Sequence, residues 1–269
     1  MVCNLTARTR PGLAPLLVGL LLVSARASEP SAPPEASASG RIDEILTRLQ
    51  RRGDDLRDIR CRVVFEEEDR VNLTQRSKHG TILFLIAEPN PLFLIAFERT
   101  ESEGIAGQRE WYLFDGRWLH QAIERLAQVT QQEVVASGER FDPFDLESAP
   151  FPLPFGQKKD KILRNFDVAL MSPAPGDPPN TDHLICTPKS ESHLYRRYDK
   201  LEFFVDKDLH LPRRVVVTKN EGLEVNTATF PDLTSRSINA GVTRDDLAPP
   251  KDWKGYKVVV EPLPAEPTP

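Results

Sequence analysis

Trp111-Tyr112-Leu113-Phe114-Asp115-Gly116-Arg117-Trp118-Leu119-His120 is the stretch whose reading decides the fold. Aromatic and aliphatic residues run into Asp115-Gly116 and out again, and Asp-Gly is the dipeptide that best tolerates the positive φ of a tight hairpin turn. Strands are therefore expected over 111–114 and 118–121. Upstream, 80–87 and 92–97 read as two more, separated by Glu88-Pro89-Asn90-Pro91, where two prolines forbid a continuous ladder. Before them, 59–65 alternates Arg60 and Arg62 with Cys61 and Val63, and the charged run 66–70 is expected to end that strand.

Two of these strands are too apolar for a sheet with one wet face. Leu83, Phe84, Leu85 and Ile86, then Leu92, Phe93, Leu94, Ile95 and Phe97, put hydrophobic groups on both sides. Such strands need a cover on one side and a closed interior on the other. Residues 141–156 offer a cover: four prolines prevent regular structure, yet four phenylalanines and two leucines need burial. A loop this apolar must lie over something apolar. Between hairpin and loop the pattern is ambiguous, since Ile123, Leu126, Ala127 and Thr130 fit a helix while 127–135 also reads as a strand after a turn at 123–125. The local pattern alone favours the helix.

Ile42, Ile45, Leu46 and Leu49 recur at helical spacing with Gly53 as a stop, so one amphipathic helix opens the domain. A short helix is expected at 158–165 and a surface loop at 173–179. The last third reads as strands over 183–187, 201–205, 213–218 and 223–230, with turns at 206–208 and 220–222. Residues 28–40 are small, Pro-rich and without periodicity, the signature of a flexible leader, and 261–269 reads as a disordered tail.

The chain starts with Arg8 and Arg10, an apolar run over 13–23 and then Ala25-Arg26-Ala27, the small-x-small pattern of a cleaved secretory signal. The apolar run falls short of the roughly 20 residues that span a bilayer, and no later segment could span either. A signal peptide over 1–27 with cleavage near Ala27 makes this a periplasmic or otherwise exported protein. No cysteine adjoins the cleavage point, so a bacterial lipid anchor is not indicated. Cleavage removes three arginines and takes the formal charge from -5 to -8, which argues against nucleic acid as a partner. About 240 residues remain, enough for a substantial core. Cys61 and Cys186 survive cleavage and could pair in an oxidising compartment, although nothing in the sequence fixes their strands as neighbours.

Catalysis finds no positive support. The five histidines lack metal-like spacing, no Gly-x-Ser-x-Gly occurs, and no phosphate-cradling loop precedes a helix. Glu66-Glu67-Glu68-Asp69 fits a solvated turn better than a cation site. Asn72-Leu73-Thr74 matches a glycosylation acceptor, a motif short enough to arise by chance. The reading is of a non-enzymatic protein without metal or cofactor.

Several motifs together resemble the LolA/LolB-like superfamily of periplasmic lipoprotein carriers. Gly80-Thr81-Ile82-Leu83-Phe84, a Pro-containing turn and Leu92-Phe93 are similar to the family's Gly-Thr-Leu-Trp strand and Arg-Pro-Asn-Leu-Phe. Asp115-Gly116 with Leu119, followed by Gln128-Val129-Thr130, resembles the family's Asp-Gly strand and its Gln-Val-Thr partner. That likeness favours the strand at 127–135 over the helix. Leu201 to Asp206, Leu211-Pro212-Arg213-Arg214, the turn at Gly222 and the close at 246–259 resemble the later strands, so the likeness spans 41–260.

The resemblance implies a mainly antiparallel β fold of the α+β class. It would be an open half-barrel with an N-terminal helix and a helix or loop lid over the concave face, holding acyl chains without covalent chemistry. The expected ligand is a lipid or a lipidated protein, with other envelope proteins as alternative partners. The expected apolar interior and cover comprise Phe84, Phe93, Ile95, Phe97, Trp111, Leu113, Trp118, Phe141, Phe144, Phe151, Leu153 and Phe155. Where the family has an arginine just before its proline, thought to latch the lid, this chain has Glu88 before Pro89 and Asn90 before Pro91. Neither donates as a guanidinium does, so the family's ligand-release mechanism does not transfer.

Overall fold

The opening helix, α1 (Glu35–Asp54), buries Ile45, Leu46 and Leu49 on one face. The computed structural model describes residues 35–102, 105–146, 153–249 and 253–263, so the expected signal peptide and Phe151 lie outside the described residues. α1 starts inside the stretch expected as leader. The leader's last proline is Pro34, and the Glu-Ala-Ser run after it holds no residue that breaks a helix.

The strands follow in chain order: β1 (Asp58–Asp69), β2 (Thr74–Leu85), β3 (Leu92–Ser102), β4 (Ile105–Ala106), β5 (Glu110–Phe114), β6 (Trp118–Ile123) and β7 (Gln128–Glu133). After them come the short helix α2 (Lys159–Asn165) and then β8 (Phe166–Met171), β9 (Thr181–Pro188), β10 (Lys200–Asp206), β11 (Pro212–Lys219), β12 (Glu224–Thr229) and β13 (Lys257–Glu261).

Two expectations about boundaries change. β1 does not stop at its acidic run, because β2 supplies polar and basic partners across the ladder: Glu66 faces Ser77, Glu67 faces Arg76 and Glu68 faces Gln75. Opposite-charge and polar cross-strand pairs sustain a strand that composition alone would end. After β6 the chain makes a single 3-10 turn at Glu124–Leu126, and Ala127 then takes a left-handed φ of 45°. A helix cannot continue through that residue, so β7 forms and pairs with β6. The strand implied by the resemblance prevails over the local helical pattern.

All strands belong to one sheet, with the order β13-β7-β6-β5-β3-β2-β1-β12-β11-β10-β9-β8 and β4 attached beside β3. Its ladders are antiparallel except β13, which runs parallel to β7. The two ends of the path do not meet, so the sheet stays open. Within the deciding hairpin, Gly116 adopts φ 102° and the Asp115 carboxylate accepts the N–H groups of Arg117 and Trp118 at 3.0 and 2.8 Å.

Registration across the sheet puts one row of residues on a single face: Leu170, Leu184, Phe203, Val215, Ala228, Phe65, Lys78 and Thr100. Because side chains alternate with period two, this row marks the concave face. One half of that face, on β8 to β11, packs under α1: Leu46 and Leu49 meet Leu184, Leu201 and Phe203. The other half, on β1, β2, β3 and β5, packs under the Pro-Phe loop, where Phe144, Leu153 and Phe155 join Ile82, Phe84, Phe93 and Phe97. The opposite face of β2, β3 and β5 is closed by Val242, Leu247 and Trp253, which pack on Leu83, Leu94 and Trp111. Both faces of these central strands are thus buried, as their composition demands.

Candidate functional site

The Pro-Phe loop is built to stay in place. At its entry, Asn90, only 4% exposed, donates its side-chain amide to the carbonyls of Gly116 and Glu139 at 2.8 and 3.1 Å. Its Oδ1 accepts the Phe141 N–H at 2.8 Å. One buried carboxamide therefore ties the cover to the Asp-Gly turn, using both its donors and its acceptor. It is one of the two residues that stand before a proline in this turn, the places compared with the resembled family's arginine. Glu88, the other candidate for that place, is exposed and lies 3.6 Å from Arg140.

Ring contacts hold the middle: Phe141 lies 4.8 Å from Phe114, Phe144 lies 5.1 Å from Phe84, and Phe155 lies 4.8 Å from Phe230. At the exit, the Phe144 ring rests on Gly156, where a Cβ would come within 2.2 Å of it. A Cβ on Gly53, near the end of α1, would in turn lie 2.6 Å from the Gly156 Cα. Helix and cover meet through two residues that have no side chain. Lys158 pairs with Asp54, and the Gln50 side chain accepts the Lys159 N–H at 2.9 Å, completing the junction with α1.

Between the α1 half and the covered half the concave face retains an apolar cavity of about 200 Å³. Phe65, Ile95, Phe97, Leu153, Val215 and Phe230 are among its walls, and Arg197, Tyr198, Lys219 and Asn226 supply the polar lining. Farther along the same face, past Phe97, the lining turns polar. A recess of about 330 Å³ is lined by Glu67, Lys78, Thr100, Glu110, Tyr112 and Gln121, among others. Lys78 is 4% exposed and lies 3.0 Å from Glu110 and 3.3 Å from Glu67. Burial works against its ammonium form, but Tyr112, Glu67 and Glu110 outweigh burial and leave the Lys78 pKa raised. Tyr112 donates to Glu110 at 3.3 Å and accepts from Gln121 at 3.1 Å.

The expected site residues separate into three groups. Ile95, Phe97 and Leu153 line the cavity. Phe84, Phe93, Phe144 and Phe155 are fully packed in the covered core, with Phe141 against its edge. Trp111 and Leu113 are a correction: they belong to the outer face, beneath Val242, Leu247 and Trp253. Strand alternation explains it, because Tyr112 and Phe114 point inward and their neighbours therefore point out. Trp118 is a correction for the same reason. Leu119 packs against the inner core, which leaves Trp118 on the side of Ala122 and His120, with Arg117 5.8 Å over its ring.

Sequence reasoning missed the contribution of the last third to the cavity: Tyr198, Val215, Val217, Asn226 and Ala228. Only the alternation of β11 and β12 hinted at it, and no local pattern says which strand faces which cover. The cysteines lie in different cores, Cys61 under the Pro-Phe loop and Cys186 under α1, and both are free thiols. Burial pushes each up to about 12. No helix among the described residues is long and apolar enough to cross a membrane.

No protein-family model matches the chain, and no curated protein does. Solved structures with a similar layout include an uncharacterized conserved protein from Thermus thermophilus, at 13% identity over 82% of this chain and 99% of that one, with a TM-score of 0.43. A chain of the Pseudomonas aeruginosa MucA/MucB complex is 17% identical over 79% of this chain, with a TM-score of 0.42. Only 62% of that chain is spanned. A LolA superfamily protein from Nitrosomonas europaea is 12% identical over 76% of this chain and 97% of its own, with a TM-score of 0.32. By its own strand order and its helix-and-loop cover, the molecule is an open half-barrel of mainly antiparallel β structure.

Proposed function

We propose that this chain is an exported, non-enzymatic binding protein of the cell envelope that shields an acyl chain, from a lipid or a lipidated protein, in the cavity on its concave face. The observation that carries this reading is the apolar cavity of about 200 Å³ on the concave face, between Leu153 of the Pro-Phe cover and strands β11 and β12. Aromatic and β-branched walls give an apolar chain a place to leave water, and each CH2 so removed contributes about 0.8 kcal/mol. The N-terminal signal pattern fits the same compartment. Native mass spectrometry of the purified protein, followed by organic extraction, tests it. Adducts with acyl-chain masses that extraction removes are expected, whereas a protein that carries none and takes up none from added lipid overturns it.

A second reading, a protein-interaction module on the same fold, is favoured by a different feature. On the outermost strand β13, Val258 and Val260 are 53% and 54% exposed. An envelope protein could extend the sheet there by adding a strand. Association with an envelope partner that survives Val258→Lys would count against that surface.

A further inference from the structure

The charge distribution around the cavity narrows the ligand class, and this inference rests on the acyl-chain reading above. Among the described residues, no carboxylate lines the cavity, and its only charged side chains are Arg197 and Lys219. Both converge on Tyr198: the Arg197 guanidinium lies 5.3 Å and the Lys219 ammonium 5.8 Å from its ring centroid. Tyr198 is itself 4% exposed. The chain as a whole is acidic, so two cations at an acid-free apolar cavity run against its composition.

Two described carboxylates near Lys219 and Tyr198 have partners of their own. Glu224 sits opposite Lys219 in the ladder but accepts the Asn220 side-chain amide at 2.6 Å. Asp199, next to Tyr198, accepts the Gly222 N–H at 2.8 Å. Arg197 donates to the Leu146 carbonyl, at 3.2 Å, at the margin of the cover. The cavity is also small. An apolar hole of roughly 150 Å³ takes a benzene ring, so this one has room for part of one chain and not for several packed side by side.

We propose that the site takes a single-chain anionic amphiphile, its chain in the cavity and its carboxylate or phosphate head held by Arg197 and Lys219 beside Tyr198. An ion pair with either cation is made only with an anionic head. A neutral or cationic head forfeits it, while the chain's burial is unchanged.

The test is calorimetric titration of the full chain with four probes of equal chain length, each below its micelle concentration: dodecanoate, dodecyl phosphate, dodecanol and dodecyltrimethylammonium. The two anions are expected to bind about tenfold more tightly than the neutral and cationic probes, and the tighter anion identifies the preferred head. Lys219→Gln is expected to reduce that preference several-fold. Arg197→Gln should do the same, and because Arg197 also holds the Leu146 carbonyl, Lys219→Gln is the cleaner variant. Equal binding of all four probes would overturn the headgroup assignment and leave the acyl-chain reading standing. An anion preference unchanged in both variants would overturn the roles of Arg197 and Lys219, and failure of every probe to bind would sink both readings.

Discussion

The central strands β2, β3 and β5 are covered twice, inside by Phe144, Leu153 and Phe155 and outside by Val242, Leu247 and Trp253, and the two covers are constructed on different principles. The inner one delivers large aromatic rings and is held by a buried carboxamide and a pair of glycines. The outer one delivers Val242, Leu247 and Trp253 and is held by carboxylates. Asp58 accepts the N–H groups of Ala240 and Gly241, and Asp246 accepts the N–H and hydroxyl of Thr243 while pairing with Arg60 at 2.9 Å. The anchor at the inner cover's entry is neutral, and those of the outer cover are charged. The inner cover borders the cavity, and the outer one fastens the C-terminal segment.

That contrast can be broken by substitution. The largest effect is expected from Phe155→Ala, which removes a ring with 0% exposure packed at a tilt against Phe230, a wall of the cavity. It should cost about 3–5 kcal/mol in chemical denaturation and change dodecanoate affinity as the cavity grows. Leu247→Ala in the outer cover should cost about 2–3 kcal/mol and leave dodecanoate affinity unaltered. If both variants moved affinity equally, the division of labour would be wrong.

Asn90→Ala should come next, at about 1–3 kcal/mol, since it leaves two carbonyls and the Phe141 N–H without their partner. Hydrogen exchange should rise at Phe141 and Leu153 and stay unchanged at Leu247; a uniform rise would show that Asn90 supports the whole fold and not the cover. The smallest effect concerns pH. Asp246 is lowered from 3.8 to about 2, chiefly by the Thr243 N–H, with Arg60 adding to it. A depressed carboxyl contributes stability above its unfolded value and loses it as pH falls through its folded value, so the outer cover should loosen between about pH 4 and pH 2. Near-ultraviolet signals from Trp253 would report it, and an Asp246→Asn variant should lack that transition.

Much of this architecture was legible in residues, for reasons that are local. Asp115-Gly116 fixes a turn by backbone geometry, and Glu88-Pro89-Asn90-Pro91 fixes another by lack of donors. The burial of Phe144, Leu153 and Phe155 followed from composition, because a loop with so much apolar surface has few alternatives. What could not be read depends on registration. Trp111, Leu113 and Trp118 are as apolar as Phe93 and Phe97, and only the sheet's alternation, counted from inward residues such as Tyr112, sends them outward. The acidic end of β1 needed its partners on β2 to be known. Tyr198, Arg197 and Lys219 come together from segments that share no pattern, so a cationic rim around a hydrophobic cavity was invisible before the chain was folded.

The parallel pairing of β13 with β7 has a consequence for the order in which the molecule is completed. Nearly every other neighbour in the sheet is joined to the next by a short turn, so those ladders close as the chain emerges. β7 waits for a strand more than a hundred residues downstream. Until Lys257–Glu261 arrives, its outer backbone N–H and C=O groups form a bare edge, a template for any extended chain nearby. During synthesis the outer edges of β7 and β1 therefore both stay open until the last third of the chain supplies β13 and β12.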